Sequence, residues 1–420
     1  MQKTTVIKVY EHQALRVNDA SGFMAAQLSQ LQAFYGSGCP YFSLIYNGVL
    51  FNQYVGVLQV GNLTIEVLPK TDKGEDNKEL WQDFLIDMLR SAGLVNKEVT
   101  KESSLKLKYN SILDLYIELY LIEVRYLLQT GLVKKYRKTE GNSFALKGSL
   151  HFAKNLRHNL THSERFYVRY ATYDTNNVFN RILYKTLRFV GDINRFSRLQ
   201  SDIESLLLDF PELPDLTVTD ALFDHLVYDR KTEPYRRAIS IARLLLLMYH
   251  PDIKSGKNQV LALMFDMNLL WEKYVYKQLR KTLTGEFIVK DQVSVNFWKP
   301  EKGNMMRLRP DIVIYDKSMN PVTVIDTKWK NPGGSKPSPE DLRQMMAYNY
   351  YQGCRRSSLL YPYSGTEPLS VQGHYQKDDK ECSLLLLPLI RKNQKMQLEM
   401  NLLTEFIREC CSMRNQIRAI

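Results

Sequence analysis

Two carboxylates and one amine, Asp311, Asp326 and Lys328, are the residues of this 420-residue sequence best placed to do chemistry. They lie in Arg309–Lys330, RPDIVIYDKSMNPVTVIDTKWK, which reads as two strands, Asp311–Asp316 and Val322–Trp329, joined by a turn containing Asn320-Pro321. Strand side chains alternate between faces, so Val322, Val324, Asp326 and Lys328 share one face and Thr327 points away. Asp326 and Lys328 then project together at the strand end, with the Thr327 carbonyl beside them. Asp311 starts the neighbouring strand, 15 residues earlier (326 − 311). Two carboxylates and a carbonyl oxygen suit a hard, octahedral Mg²⁺, with Mn²⁺ as the alternative. Such an ion lowers the pKa of a water and neutralises charge developing on a phosphodiester under attack. A nearby lysine orients that water and contacts the phosphate.

The acid-x-Lys pattern is common: Asp76-Asn77-Lys78, Asp252-Ile253-Lys254 and Asp378-Asp379-Lys380 also match it. Those sit in polar loops, where a solvated charge explains them. Asp311 and Asp326 stand instead in apolar, β-branched strands, where an uncompensated carboxylate costs several kcal/mol. The bland alternative is a surface hairpin with an Asp–Lys pair on its exposed face. Two flanking helices extend the constellation. After a Gly/Pro loop (Asn331–Pro337), Ser338-Pro339-Glu340-Asp341 supplies an N-cap and a proline at the first helical position. The helix runs to Gly353 and carries Gln344 and Tyr348 four residues apart on one face, a pair able to steady the lysine or a phosphate, or simply an exposed face. Upstream, Leu269–Val275 is an apolar helical run with one acid, Glu272, a further metal ligand directly or through water, or a solvated helical charge.

These residues must be carried by a folded scaffold. Residues 1–75 read as a small β-rich module with one helix, Phe23–Tyr35, among short strands at Thr4–Tyr10, Tyr41–Tyr46, Tyr54–Val60 and Leu63–Leu68. The polar stretch Thr71–Glu79 is a linker. Residues 76–257 are mainly helical, with segments around Leu80–Ala92, Ile112–Leu128, Asn177–Phe189 and Ala238–Tyr249 and one β-like interruption, Phe144–Phe152, centred on Lys147-Gly148-Ser149. After a second polar boundary, His250–Lys257, residues 258–420 alternate helices and strands as a mixed α/β domain.

Composition bounds the function. The chain is 44% hydrophobic and 24% charged, an ordinary globular balance. Its apolar runs are far shorter than the roughly 20 residues of a membrane span, and MQKTTVIKVYEHQ has no secretory h-region, so no membrane is expected. Five cysteines without a CxxC pair point to a reduced cytoplasm and against a zinc ribbon or iron–sulfur cluster; Cys410 and Cys411 read as helix packing residues. A net charge of +12 favours a polyanionic partner. Between Lys134 and Arg169 there are nine Lys/Arg and two acids with interleaved aromatics, either a phosphate-tracking surface or a soluble basic face. His151, His158 and His162 are too loosely spaced for a metal cluster. There is no G-x-x-x-x-G-K-[ST] loop, so no nucleotide is expected on this chain.

Glu272, Pro310-Asp311, Asp326-Thr327-Lys328, Gln344 and Tyr348 together resemble the PD-(D/E)xK nuclease superfamily, in its branch with a Gln-x-x-x-Tyr motif. Lys147-Gly148-Ser149-Leu150-His151-Phe152-Ala153-Lys154, Tyr173-Asp174, Asn180-Arg181-Ile182-Leu183 and Glu66-Val67-Leu68-Pro69-Lys70 resemble the McrC-like family, nuclease subunits of McrBC restriction systems. The resemblance implies an α+β multidomain protein ending in a PD-(D/E)xK domain with a mixed sheet. It implies a Mg²⁺-dependent endonuclease for double-stranded DNA carrying modified cytosine, in which Asp311, Asp326, Thr327 and Glu272 hold the metal. The implied partner is a McrB-like AAA+ GTPase hexamer, engaged through the N-terminal part. Two other readings are a non-cleaving adaptor between DNA and an AAA+ ring, and a stand-alone repair nuclease of the RecB or Cas4 kind. The intact acids count against the first, and the missing cluster cysteines against the second.

Overall fold

The computed structural model describes residues 5–17, 22–36, 38–60, 63–70, 77–94, 111–194, 197–251, 259–330, 336–363, 365–392 and 395–418. The expected linkers Thr71–Glu79 and His250–Lys257, and the loop Asn331–Pro337, fall largely outside the described residues. Two compact units emerge, one of Tyr109–Leu263 and the other of Thr5–Lys108 together with Met264–Ile420.

The first unit is built on the helices Ile112–Thr130, Val178–Ile193, Ser197–Asp209 and Arg236–Leu247. Each of the first two starts with a side-chain cap, Ser111 on Asp114 N and Asn177 on Asn180 N. The stretch read as a basic strip is in fact a long antiparallel ribbon, Lys135–Ser143 against Phe166–Asp174, with Ser149–Leu150 as a third strand. The β-like interruption expected at Phe144–Phe152 thus shrinks to two residues, because charge masked the period-two pattern of the flanking strands. Gly148 has φ +66, and a Cβ there would lie 2.4 Å from the Arg169 carbonyl, so only glycine lets the chain cross the ribbon at that point. Buried Asn180 ties the base of the ribbon: its Nδ2 donates to the carbonyls of Val133 and Thr175, and its Oδ1 accepts from Tyr235.

In the second unit, Thr5–Tyr10 runs parallel to Leu63–Leu68, which pairs antiparallel with Tyr54–Val60. The segment also forms the small sheet Ala14–Arg16, Gly48–Phe51 and Phe42–Ile45, and the helix Ala25–Tyr35. The C-terminal part of the unit carries a seven-stranded mixed sheet. Its order is Ile288–Asp291, Ile312–Tyr315, Pro321–Thr327, Arg356–Tyr363, Glu381–Lys392 and Leu369–His374, with Lys395–Leu398 pairing off the path on Glu381–Lys392. Pro321–Thr327 is antiparallel to Ile312–Tyr315 and parallel to Arg356–Tyr363, and the helix Pro339–Gln352 makes the crossover that a parallel pair requires.

The sequence separates residues 1–75 from 76–257 and 258–420, whereas here the described residues of Thr5–Lys108 fall in one unit with Met264–Ile420. The helix Lys78–Ser91, expected among the middle helices, buries Leu80, Trp81, Phe84, Leu85, Met88 and Leu89. It packs on the helix Met267–Thr282, where the Phe84 and Tyr274 rings meet edge to face at 5.5 Å. A second tie is polar. The buried carboxylate of Glu11 accepts from Trp329 Nε1 at 2.6 Å and from Lys70 N at 3.0 Å. Trp329 in turn packs on Trp271, ring centroids 5.1 Å apart.

Burial pushes the Glu11 carboxyl up from 4.5 to about 7, against the lowering effect of Trp329 and Lys70. An acid whose folded pKa is raised gives stability that is complete below its unfolded pKa and lost as pH rises through the folded one. Between pH 4.5 and about 7 the fold should therefore lose stability through this group. Glu11→Gln keeps an acceptor for Trp329 and Lys70, and should remove on the order of 2–3 kcal/mol of the loss seen in urea unfolding between acid and alkaline buffers. Equal pH slopes for parent and variant would show that Glu11 is not the titrating group.

Candidate active site

The site forms at the ends of the two strands expected to carry it, with small shifts in their limits. The first covers Ile312–Tyr315 and the second Pro321–Thr327. Asp316 lies in the turn rather than the strand, where its carboxylate accepts from the backbone of Ser318 and Asn320 and from Asn320 Nδ2. That local cap closes the turn and sets the register of the pair. Ile312 stands opposite Ile325, so one step further along Asp311 comes opposite Asp326. Val313 and Val324, two residues from each acid, lie in the core cluster with Met345 and Tyr348. By strand alternation both carboxylates project on the face that the helix Pro339–Gln352 covers.

Asp326 is only 2% exposed. Its Oδ2 has the Lys328 ammonium 2.8 Å away. Burial, then the charge of Asp311, pushes its pKa well above the usual carboxylate range. Asp311 is raised for the same reason, burial first and then Glu272. Its Oδ2 accepts from Thr327 N at 2.7 Å and from Thr327 Oγ1 at 2.9 Å. Thr327, whose side chain alternation turns away from Asp326, thus grips the other acid. Lys328 lies just beyond the strand, though its N–H still bonds the Leu360 carbonyl at 2.9 Å.

Glu272 sits on the helix Met267–Thr282, which packs against the strands Ile288–Asp291 and Pro321–Thr327. It is buried and hydrogen-bonded by Gln292 Nε2. Burial and the charges of Asp291 and Asp326 raise its pKa. Among the described residues no three His, Cys, Asp or Glu side chains converge tightly enough to form a ready-made metal cluster. The opposed Asp311 and Asp326 pair needs no third side chain to fit Mg²⁺, an ion bound through one or two carboxylates with its waters retained. Two buried acids opposed across the strands, each raised in pKa by burial and by a neighbouring acid, are the observation against which a cation's fit is judged.

Gln344 and Tyr348 do meet on one helical face. Gln344 Nε2 donates to Tyr348 Oη at 2.7 Å, and the Tyr348 hydroxyl donates to the Arg309 carbonyl at 3.3 Å. The pair braces the chain entering Asp311. Steadying of Lys328 falls to a residue the spacing argument passed over, Asp341, whose carboxylate lies 3.8 Å from Lys328 Nζ and 2.9 Å from Lys330 Nζ. It had been read only as part of a helix start. Gln292 was missed as well, since nothing in a loop glutamine marks its contact with a helix 20 residues away.

Outside this site, much of the Lys134–Arg169 charge is internally paired. Arg137 meets Asp174, Lys135 meets Asp229, and Lys154 and Arg169 share Glu140. All five cysteines are free, and Cys410 is buried on the helix Asn401–Arg418. No helix among the described residues is long and apolar enough to cross a membrane.

The sequence matches the family described as McrBC 5-methylcytosine restriction system component over residues 49–362, well over half its length. The chain belongs to that family. A chain from a tetradecameric assembly of Thermococcus gammatolerans McrB AAA+ hexamers with bound McrC shares its fold, at a TM-score of 0.66 and 19% identity over 92% of this chain and 94% of that one. A chain of the Thermococcus gammatolerans McrBC complex aligns at a TM-score of 0.50 and 20% identity, over 67% of this family member and 88% of that chain. No match is found among curated proteins.

The raised acids make a stability prediction. In metal-free buffer at alkaline pH, Asp326→Asn should raise the melting temperature, worth on the order of 1 kcal/mol, because it deletes a buried charge whose ionised form is disfavoured. Added Mg²⁺ should then stabilise the parent and not the variant. A destabilised variant with an undiminished Mg²⁺ shift would dissociate Asp326 from the cation.

Proposed function

We propose that this chain is the DNA-cleaving subunit of a modification-dependent restriction system, a PD-(D/E)xK endonuclease that uses Mg²⁺ or Mn²⁺. The observation that carries the reading is the opposition of two buried carboxylates, Asp311 and Asp326, with the Lys328 ammonium 2.8 Å from the second. A surface hairpin would leave these groups hydrated. A bound divalent ion would supply charge neutralisation at the scissile phosphate and a nucleophile at neutral pH. Asp311, Asp326 and the Thr327 carbonyl would hold it, with Glu272 contributing through water.

The chain's own groups account for the rest. Thr327 fixes Asp311 through two hydrogen bonds, so one carboxylate is oriented before substrate arrives. Lys328 is held on its other side by Asp341, so its position does not depend on Asp326 alone. With Asp326 given over to a cation, its ammonium would contact a phosphate oxygen and orient the attacking water. Tyr348 and Gln344 hold the approach to Asp311. Metal affinity in such a site falls as pH drops, because the raised acids must lose their protons to bind.

Family membership supports assigning the motor to a separate chain, a McrB-like AAA+ GTPase hexamer that this subunit binds and stimulates through its N-terminal part. It likewise supports double-stranded DNA with modified cytosine as substrate, defence against foreign DNA as role, and the cytoplasm as location. The adaptor reading would require a decayed site, and the opposed acids disfavour it.

Asp326→Ala and Lys328→Ala should each reduce Mg²⁺-dependent cleavage of methylated plasmid by at least a hundredfold, assayed with the AAA+ partner and GTP. Partner binding and GTPase stimulation should persist, and the parent chain alone should cut poorly. Full cleavage by Asp326→Ala would remove the site assignment.

A further inference from the structure

Between Gln292 and Asp311 the chain leaves the main sheet and forms a separate hairpin, Val295–Trp298 paired with Met306–Leu308. Both of its roots belong to the acid site. Gln292 donates its side-chain amide to Glu272 and its backbone N–H to the Asp311 carbonyl, the latter at 2.9 Å. One side is firmly anchored. The Phe297 ring stands edge-on to Tyr351 at 5.4 Å, the Tyr351 hydroxyl donates to the Phe297 carbonyl, and the helix Pro339–Gln352 packs on the first strand.

The rest of the hairpin is open. Trp298 pairs across the strands with Met306, and each is 55% exposed. Around them Lys299, Lys302, Arg307 and Arg309 are all exposed, against one acid, Glu301. A rigid tryptophan held outward costs hydration free energy unless something covers it. Four exposed cations on and beside an exposed apolar pair match a polyanion with stackable bases, and proteins that grip duplex DNA insert apolar wedges between base steps in this way. The hairpin springs from the residues that hold Glu272 and Asp311, so its occupant lies beside the scissile phosphate.

We propose that this hairpin grips the duplex next to the cleavage point, with Trp298 and Met306 wedged against the bases and Lys299, Lys302, Arg307 and Arg309 on the phosphates. The proposal rests on the nuclease reading above and names the element that seats its substrate. The test measures anisotropy of a labelled 30-base-pair duplex bound by the full chain with its AAA+ partner, in an Asp326→Ala background that cannot cut. Trp298→Ala should weaken binding at least fivefold with the salt dependence unchanged, and Trp298→Phe should restore most of it. Lys302→Ala with Arg307→Ala should weaken binding and lower the salt slope by about 2. Variants that melt with the parent yet bind duplex equally well would overturn the proposal, as would loss of the AAA+ partner in place of loss of DNA, which would make the hairpin a protein-docking element. Absence of Mg²⁺-dependent cleavage by the parent chain with its partner and GTP would overturn the nuclease reading instead, and cleavage persisting in the Asp326→Ala background would remove only the site assignment, whatever the hairpin variants do.

Discussion

Two carboxylates forced together at the buried end of a β-ladder are the constraint around which the second unit is arranged. Asp311 and Asp326 face each other across antiparallel strands whose neighbouring residues, Ile312, Val313, Val324 and Ile325, are wholly buried. A lone ionised carboxylate in such surroundings costs several kcal/mol, and a second one opposite adds repulsion. The chain offsets this with Lys328 beside Asp326 and two Thr327 donors on Asp311. The compensation is incomplete, since burial still raises both pKa values. In the proposed reading a divalent cation would relieve that residual strain, and stability lost in the free protein would reappear as affinity for the metal.

Other features serve to hold that pair in register. The Asp316 turn sets which residues oppose each other, and a slip of one position would send the acids to the opposite face. The helix Pro339–Gln352 begins at a capped Ser338 and ends at Gly353 in the left-handed conformation. It thereby delivers Asp341 to Lys328 at one end and Tyr348 to the Arg309 carbonyl in its middle. Glu11 clamps Trp329, immediately after Lys328, onto the N-terminal segment, and Trp271 holds the same ring against the helix Met267–Thr282. In the proposed reading this clamp gives the N-terminal part a direct mechanical connection to the catalytic lysine.

Much of this arrangement was legible from residue order because it is local. Strand alternation named Asp311, Asp326 and Lys328, and Ser338-Pro339 with Gly353 marked both ends of the crossover helix. The strands at Tyr54–Val60 and Leu63–Leu68 were read with the limits they have here. What escaped is long-range or masked. The ribbon Lys135–Ser143 with Phe166–Asp174 is made almost wholly of exposed and half-buried positions, and its first strand is densely charged, so no clean hydrophobic alternation announces it. Contacts such as Glu11 with Trp329 span 318 positions and follow from the fold alone. Asp341 served one visible purpose, starting a helix, and that hid its second.

A cation shared by the opposed acids is the central requirement of the proposed chemistry, and crystals soaked in Mn²⁺ give the most direct view of it. An anomalous difference peak between the Asp311 and Asp326 carboxylates, within coordination distance of both and of the Thr327 carbonyl, is the expected result. No peak there at saturating Mn²⁺, with Asp326 still held by Lys328 alone, would contradict it.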